Sequence, residues 1–247
     1  MPPKTIGLLS TKGGVGKSTI TASLAVSLSK KYRVGIVDAD MEKPSIPTIF
    51  NIKKERVEIV EDKFKPVVKD RIEIISHGFM VGLRSSLIWT KQMEEEAIVQ
   101  LIELTDFTSN ILLIDFPPGS QPSSQSILKD VHMDGTIIIT TQNPLDRDGA
   151  ERTLSLLQDF ETPILGVIEN MCRDRDHISS TGGREFGLPI LGRIPHVPEV
   201  GKEMIISGTD GIAENVVEAL RRPIVLKRDG LKRKVKREAL RWVMKRT

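Results

Sequence analysis

Short runs of consecutive apolar residues alternate along the chain with longer segments whose apolar residues recur at helical spacing. Uninterrupted apolar runs of this length are typical of parallel strands buried on both faces. Such strands are predicted at residues 5–10, 33–38, 71–76, 110–115, 135–141 and 164–169. The intervening spacing predicts helices at 19–28, 92–104, 146–160 and 210–220. Residues 53–70 are polar and alternate loosely, which indicates a peripheral hairpin.

Strands that alternate with helices in this order predict the fold class. We expect an α/β fold with a mostly parallel central sheet and helices on both faces. In such sheets, ligands bind where the carboxyl ends of the strands meet. The residues that directly follow the predicted strands are therefore the candidates for a ligand-binding or catalytic site.

A glycine-rich loop joins the first predicted strand to the first predicted helix. It consists of Lys12, Gly13, Gly14, Val15, Gly16, Lys17, Ser18 and Thr19. Glycines let several backbone N–H groups converge on one anion, and the helix N-terminus adds its own N–H groups and partial positive charge. In a loop of this kind we expect Lys17 to reach the β- and γ-phosphates of a nucleotide, Ser18 to ligate Mg²⁺ and Thr19 to donate to the α-phosphate. The loop therefore predicts a nucleotide site.

Two details of this loop depart from the standard phosphate-binding motif. The motif has a glycine six residues before its lysine, whereas this chain has Thr11 at that position. A second lysine, Lys12, follows at the start of the loop.

Aspartates stand at the ends of two predicted strands. Asp115 ends an apolar strand, the arrangement that usually holds Mg²⁺ through a water molecule. Asp38 and Asp40 end the second strand, where a carboxylate can orient or deprotonate an attacking water. Their alternation leaves open which of the two does so. The alternative interpretation is that these strand-end acids cap helices or lie exposed.

Composition narrows the class of protein. The hydrophobic fraction of 39% is sufficient for a packed core in 247 residues. The single cysteine, Cys172, excludes an intramolecular disulfide and an all-cysteine metal site within one chain. No apolar run approaches the roughly 20 residues that span a membrane, and the N-terminus lacks the pattern of a signal peptide. We therefore expect a cytoplasmic protein.

The charge is distributed unevenly along the chain. Residues 221–247 contain twelve Lys or Arg and two Asp or Glu, which gives +10 and leaves −7 for residues 1–220. We predict a nucleotide-binding domain at 1–221 and a basic, amphipathic helical tail at 222–247. Such a helix can lie in a membrane interface, bind the phosphates of nucleic acid or pack on the acidic body. These three alternatives stay open, and the first two would place the protein at a membrane or the nucleoid.

The motifs together resemble the MinD/ParA/Mrp family of P-loop ATPases. The stretch from Lys12 to Thr19 is similar to the deviant Walker A motif of that family, in which the early lysine is the distinguishing feature. Asp38-Ala39-Asp40 resembles its switch I, and Asp115-Phe116-Pro117-Pro118-Gly119 resembles its switch II. Further segments are similar to the Mrp branch, which includes the nucleotide-binding scaffolds of iron–sulfur cluster assembly: Pro44-Ser45-Ile46-Pro47, Ser76-His77-Gly78-Phe79, Ile88-Trp89, Glu169-Asn170-Met171 and Leu191-Gly192-Arg193-Ile194-Pro195.

This resemblance implies a P-loop NTPase fold and a slow, Mg²⁺-dependent ATPase that forms a homodimer around ATP. It implies that Lys12 reaches the nucleotide of the partner subunit, and that Asp40 positions the attacking water with the help of Asp38. It also implies that Asn170 hydrogen-bonds adenine. The other wall of the base pocket is implied to consist of Ile194, Pro195, His196 and Val197.

One departure from the Mrp branch concerns its cysteine pair. Members of that branch carry a Cys-x-x-Cys pair shortly after Glu-Asn-Met, and this chain has only Cys172 there. We therefore do not expect an iron–sulfur cluster. The alternatives left open are a partition or positioning ATPase on DNA or a membrane, an iron–sulfur carrier with an altered cysteine site, and a small-molecule kinase. A protein adaptor is expected, and the sequence does not identify it.

Overall fold

The computed structural model describes residues 2–80, 91–119, 121–141, 147–172, 187–196, 205–206 and 208–226. Strands lie at β1 Lys4–Ser10, β2 Val34–Asp38, β3 Glu58–Val60, β4 Lys63–Lys65, β5 Val67–Lys69, β6 Ile72–Ser76, β7 Ile111–Asp115, β8 Gly135–Thr141, β9 Ile164–Cys172 and β10 Ile190–Pro195. Helices lie at α1 Lys17–Ser29, α2 Ile46–Ile49, α3 Lys91–Glu103, α4 Pro122–Asp130, α5 Arg147–Asp159 and α6 Asp210–Ala219, with a 3₁₀ turn at His77–Met80.

Eight of these strands form one sheet in the order β10-β9-β8-β1-β7-β2-β6-β5. Every pairing is parallel except that of β5 with β6, which is antiparallel. Strands β3 and β4 form a separate hairpin, as the polar pattern of residues 53–70 predicts. The predicted α/β fold with a mostly parallel sheet is confirmed.

Two layers of helices cover the sheet and divide the core. On one face, the apolar residues of α1, α2 and α6 pack with Ile6 and Leu8 of β1. On the other face, those of α3, α4 and α5 pack with Leu9 of the same strand. Both faces of the central strands are thus buried, which explains why these strands read as uninterrupted apolar runs.

The order of the central strands determines where the site lies. Strand β7 lies between β1 and β2, and its carboxyl end carries Asp115 directly beside Asp38 in the register of β2. Strand β1 ends at Ser10 and leads into the glycine loop, on the other side of Asp115. The loop and the two carboxylates therefore meet at one edge of the sheet.

Strand β10, helix α4 and the short helix α2 were not predicted from the sequence. Strand β10 has no continuous apolar run, because Gly192, Arg193 and Pro195 interrupt it. It lies at the edge of the sheet and pairs with β9 alone among the described strands. Helix α4 is short, and of its buried residues Ser124, Ile127 and Leu128 just two are apolar.

The chain after α6 stays attached to the body as far as it is described. Ile224 exchanges two backbone hydrogen bonds with Ile164, of 2.7 and 2.8 Å, and Leu226 packs against the second core cluster. The predicted helical tail falls mainly on residues 227–247, which lie outside the described residues. No helix in the described part of the chain is both long and apolar enough to cross a membrane.

Candidate functional site

The glycine loop turns sharply into α1 at Gly16. This residue adopts a left-handed backbone with φ of 83°, and its carbonyl accepts the N–H of Ile20 at 2.9 Å. A Cβ atom at this position would lie 2.5 Å from Nδ2 of Asn170. A side chain at Gly16 would therefore meet both backbone strain and a steric clash.

Asp115 is the centre of the site. Its Oδ1 accepts hydrogen bonds from Nζ of Lys17 at 2.7 Å and from Oγ1 of Thr21 at 2.9 Å, and its Oδ2 accepts one from Oγ of Ser18 at 2.6 Å. The carboxylate is fully buried and the Lys17 side chain is 7% exposed. A charge-assisted network of this kind fixes the start of α1 against β7.

The oxygen atoms of Ser18 and Asp115 are suitable ligands for the Mg²⁺ predicted from the sequence. The Ser18 hydroxyl and the Asp115 carboxylate are hard oxygen ligands in direct contact, and Mg²⁺ at phosphate sites is commonly held by one or two such protein groups together with phosphates and water. Thr21 was not predicted as part of this cluster. Its position one helical turn after Lys17 is the signal that could have identified it.

Asp38 is buried, and its carboxyl oxygens accept three hydrogen bonds. Its Oδ2 accepts the N–H of Ile46 at 3.1 Å and the Ser76 hydroxyl at 3.2 Å, and its Oδ1 accepts the N–H of Asp40 at 3.3 Å. Burial, and next the neighbouring Asp115 carboxylate, raise the pKa of Asp38 to about 8. The Ile46 N–H acts in the opposite direction.

Asp40 and Lys12 differ from the buried residues in their exposure. Asp40 is half-buried, and one of its oxygens accepts the N–H of Lys43 at 2.9 Å. Lys12 is exposed at the start of the loop, as are Gly13 and Gly14. Asp40 and Lys12 are therefore the more accessible of the predicted catalytic residues, whereas Lys17 and Asp38 are held inside.

The predicted base-binding residues lie at the carboxyl ends of β9 and β10. Asn170 is buried, and its Nδ2 donates to the carbonyl of Val15 in the glycine loop at 2.8 Å. Ile194 is buried, whereas Pro195 and His196 are exposed, and the N–H of His196 donates to the Cys172 carbonyl at 2.8 Å. Val197 lies outside the described residues. The fold thus brings Asn170 to the phosphate loop and places β10 alongside it.

Cys172 lies at the end of β9, half-buried. Its Sγ is 3.5 Å from the carbonyl oxygen of Glu169, to which it donates. Burial, and next the Glu169 carboxylate, raise the pKa of the Cys172 thiol. The thiolate, which is the form that ligates metals, is correspondingly disfavoured.

The chain matches a known protein family over most of its length. Residues 3–207 match the family model described as "ParA: NUBPL iron-transfer P-loop NTPase". The chain belongs to this family. The predicted kinship with the MinD/ParA/Mrp group is thereby confirmed, while the roles assigned to individual residues of the site stay predictions.

Relatives and solved structures agree with this assignment. A protein of Rickettsia conorii named iron–sulfur cluster carrier protein is 40% identical over 206 residues, which cover 81% of this chain and 63% of the relative. This chain therefore spans less than two thirds of the length of that relative. A nucleotide-binding protein from Archaeoglobus fulgidus, solved in complex with ADP, is 28% identical, with a TM-score of 0.62 and 87% of each chain covered.

The cell division ATPase MinD of Pyrococcus furiosus shares the fold. It is 21% identical, with a TM-score of 0.66, and the match covers 90% of this chain and 99% of the other.

The raised pKa of Asp38 predicts how stability depends on pH in the nucleotide-free protein. Between pH about 4 and pH about 8, folded Asp38 holds a proton that the unfolded chain releases, so the free energy of unfolding falls as pH rises through this window. One linked proton contributes at most about 1.4 kcal/mol per pH unit. The Asp38→Asn variant should show a shallower decline, measured by urea unfolding at pH 5, 6, 7 and 8.

Asp70→Asn is a suitable control for this measurement, because Asp70 lies on the surface. Its decline should match that of the wild-type protein. An unchanged slope in Asp38→Asn would mean that Asp38 is ionised in the folded protein throughout this range.

Proposed function

We propose that this protein is a Mg²⁺-dependent ATPase that dimerises around ATP and acts as a nucleotide switch. The observation that carries the proposal is the contact of Asp115 with Lys17, Ser18 and Thr21 at the base of a glycine loop. A buried carboxylate against the lysine and the hydroxyl of such a loop is the arrangement expected of a phosphate and Mg²⁺ site. Membership of a P-loop NTPase family supports the same conclusion.

The residues of the loop would bind the triphosphate. Backbone N–H groups of Gly13 to Thr19 and the N-terminus of α1 would hold its oxygens, and Lys17 would share its ammonium between Asp115 and the phosphates. Ser18 and, through water, Asp115 are the residues that would hold Mg²⁺. When bound, Mg²⁺ would neutralise the charge between the β- and γ-phosphates.

Asp38 and Asp40, the two switch I aspartates, would have different roles because they differ in burial. The carboxylate of Asp38 is enclosed by three donors, and it would fix the backbone of residues 40 and 46. Asp40 is more accessible and keeps carboxylate capacity beyond its bond to Lys43, so we assign it the attacking water. Asp38 would assist by holding Asp40 in place.

Lys12 would complete the site of a second subunit. Its position on the exposed part of the loop allows it to face a partner chain rather than its own α1. A cation that reaches a closed phosphate site stabilises the charge that develops in the transition state by several kcal/mol. Hydrolysis would then separate the subunits, so the reaction would set the duration of an association.

The role of Lys12 is tested by Lys12→Ala. We expect the variant to bind ATP and to lose ATP-dependent dimerisation, measured by sedimentation velocity, because only the partner's phosphates need this lysine. Hydrolysis should fall about 100-fold or more. Lys129→Ala, which removes an exposed lysine at the end of α4, is the control and should behave as wild type. Hydrolysis at the wild-type rate in Lys12→Ala would exclude a two-subunit site.

Iron–sulfur cluster carriage is a second candidate function. The observation in its favour is that the Rickettsia relative is named an iron–sulfur cluster carrier protein and that the family description includes iron transfer. Against it stand the single cysteine and the raised pKa of its thiol. A dimer would supply only two such thiols, so we do not expect this chain to hold a cluster.

Anaerobic reconstitution with iron and sulfide separates the two candidates. We expect the wild-type protein and Cys172→Ser to give the same visible spectrum, because the Cys172 thiol donates to the Glu169 carbonyl within β9 and its raised pKa disfavours the thiolate. Visible absorbance that appears in the wild type and disappears in Cys172→Ser would favour the carrier function instead.

The basic tail is the segment that would direct the switch to a surface. Its high positive charge favours an anionic partner, either a membrane surface or nucleic acid, for an otherwise cytoplasmic protein. Removal of residues 227–247 preserves the bridge between Ile224 and Ile164 and is therefore preferable to removal of 222–247.

We expect ATP-dependent co-sedimentation with anionic liposomes or with DNA to be lost in the truncated protein, and to weaken with salt in the full chain. Equal sedimentation of both proteins would leave packing on the acidic body, or on a protein adaptor, as the role of the tail.

A further inference from the structure

Glu169 is a buried carboxylate that the proposed chemistry does not use. It is 1% exposed, and its Oε2 accepts a hydrogen bond from Nε of Arg193 at 2.7 Å. Its other oxygen, Oε1, is buried without a hydrogen-bond partner among the described residues. Burying a carboxylate is unfavourable unless it is paired, and Arg193 supplies the opposite charge for Glu169.

The pair joins the two strands that carry the predicted base-binding residues. Glu169 precedes Asn170 on β9, and Arg193 precedes Ile194 and Pro195 on β10. The register places Glu169 directly opposite Arg193. The ion pair therefore lies immediately before both walls of the base pocket.

The backbone pairing of the two strands becomes irregular at this point. The next paired residues are Cys172 and Pro195, so three steps along β9 oppose two steps along β10. Met171, within the irregular stretch, has a left-handed backbone with φ of 57°, and Pro195 has no N–H to donate. Beyond the ion pair, a backbone hydrogen bond from the N–H of His196 to the Cys172 carbonyl at 2.8 Å joins β10 to β9 across this irregular pairing.

The position of β9 is determined separately. Its pairing with β8 continues in regular register through Asn170 opposite Thr141, and the Asn170 amide is anchored on Val15. The strand on which the ion pair acts is therefore β10, which pairs with β9 alone among the described strands. Helix α6 also contacts β10, through the hydrogen bond from Nδ2 of Asn215 to the Leu191 carbonyl at 2.8 Å.

We propose that Glu169 and Arg193 are positioning residues that clamp β10 against β9 and so set the affinity and selectivity of the site for the purine base. This inference rests on the proposed ATP-binding function and goes beyond it, because the clamp acts on the base and leaves phosphate binding to the glycine loop. Neither residue touches the nucleotide in this role.

The test compares a ligand that carries the base with one that does not. Binding of MgADP and of Mg-tripolyphosphate is measured by calorimetry for the wild type, Arg193→Met, Arg193→Lys and the double variant Glu169→Gln/Arg193→Met. We expect Arg193→Met to weaken ADP binding about tenfold or more and to leave tripolyphosphate binding within about twofold. Arg193→Lys retains the charge and should recover part of the ADP affinity.

The double variant separates positioning from simple stability. It leaves no buried unpaired charge, so its thermal stability should exceed that of Arg193→Met, whereas its ADP affinity should stay low because the clamp is absent. Arg221→Met breaks an exposed ion pair of similar length with Glu218 and is the control, with both affinities unchanged.

Three results would overturn the inference. They are ADP binding at the wild-type level in Arg193→Met, an equal loss of both ligands, and recovery of ADP affinity in the double variant. Failure of the wild-type protein to bind either ligand would instead reject the proposed function and, with it, the inference.

Discussion

The contact between the Asp115 carboxylate and the first turn of α1 is the interaction on which the site depends. Three donors from one helix, at Lys17, Ser18 and Thr21, converge on this single buried side chain. Since the carboxylate is fully buried, its charge is stabilised by the Lys17 ammonium and by the Ser18 and Thr21 hydroxyls. The same contact fixes the distance between β7 and α1, and with it the shape of the glycine loop that connects β1 to α1.

A second constraint is that Asp38 lies beside Asp115 on the neighbouring strand. Burial, and next the repulsion by the neighbouring Asp115 carboxylate, raise the pKa of Asp38. Among the described residues, the Lys17 ammonium forms an ion pair with Asp115 at 2.7 Å. The arrangement is suited to a site that receives a metal cation, whose charge would offset the two carboxylates.

Asn170 connects the end of β9, where base binding is proposed, to the glycine loop. Its amide reaches the carbonyl of Val15 because Gly16 has no side chain to block the approach. The second proton of that amide, and its oxygen, are the groups that would be left for a base. Strands β9 and β10 thus contribute to the same edge as the glycine loop, although they are distant from it in sequence.

The sequence by itself determined the parallel α/β sheet and the identity of the glycine loop and strand-end acids, because buried parallel strands are uninterrupted apolar runs and the phosphate motif is local. Strand β10 and helix α4 were not predicted, because few of their residues are buried and those few are buried by contact with neighbouring elements. Only the tertiary structure decided that Thr21 joins Asp115, that Asn170 reaches Val15 and that Glu169 pairs with Arg193. The physical reason is that strand order and register, which bring distant residues together, are set by packing across the whole sheet rather than by any local pattern.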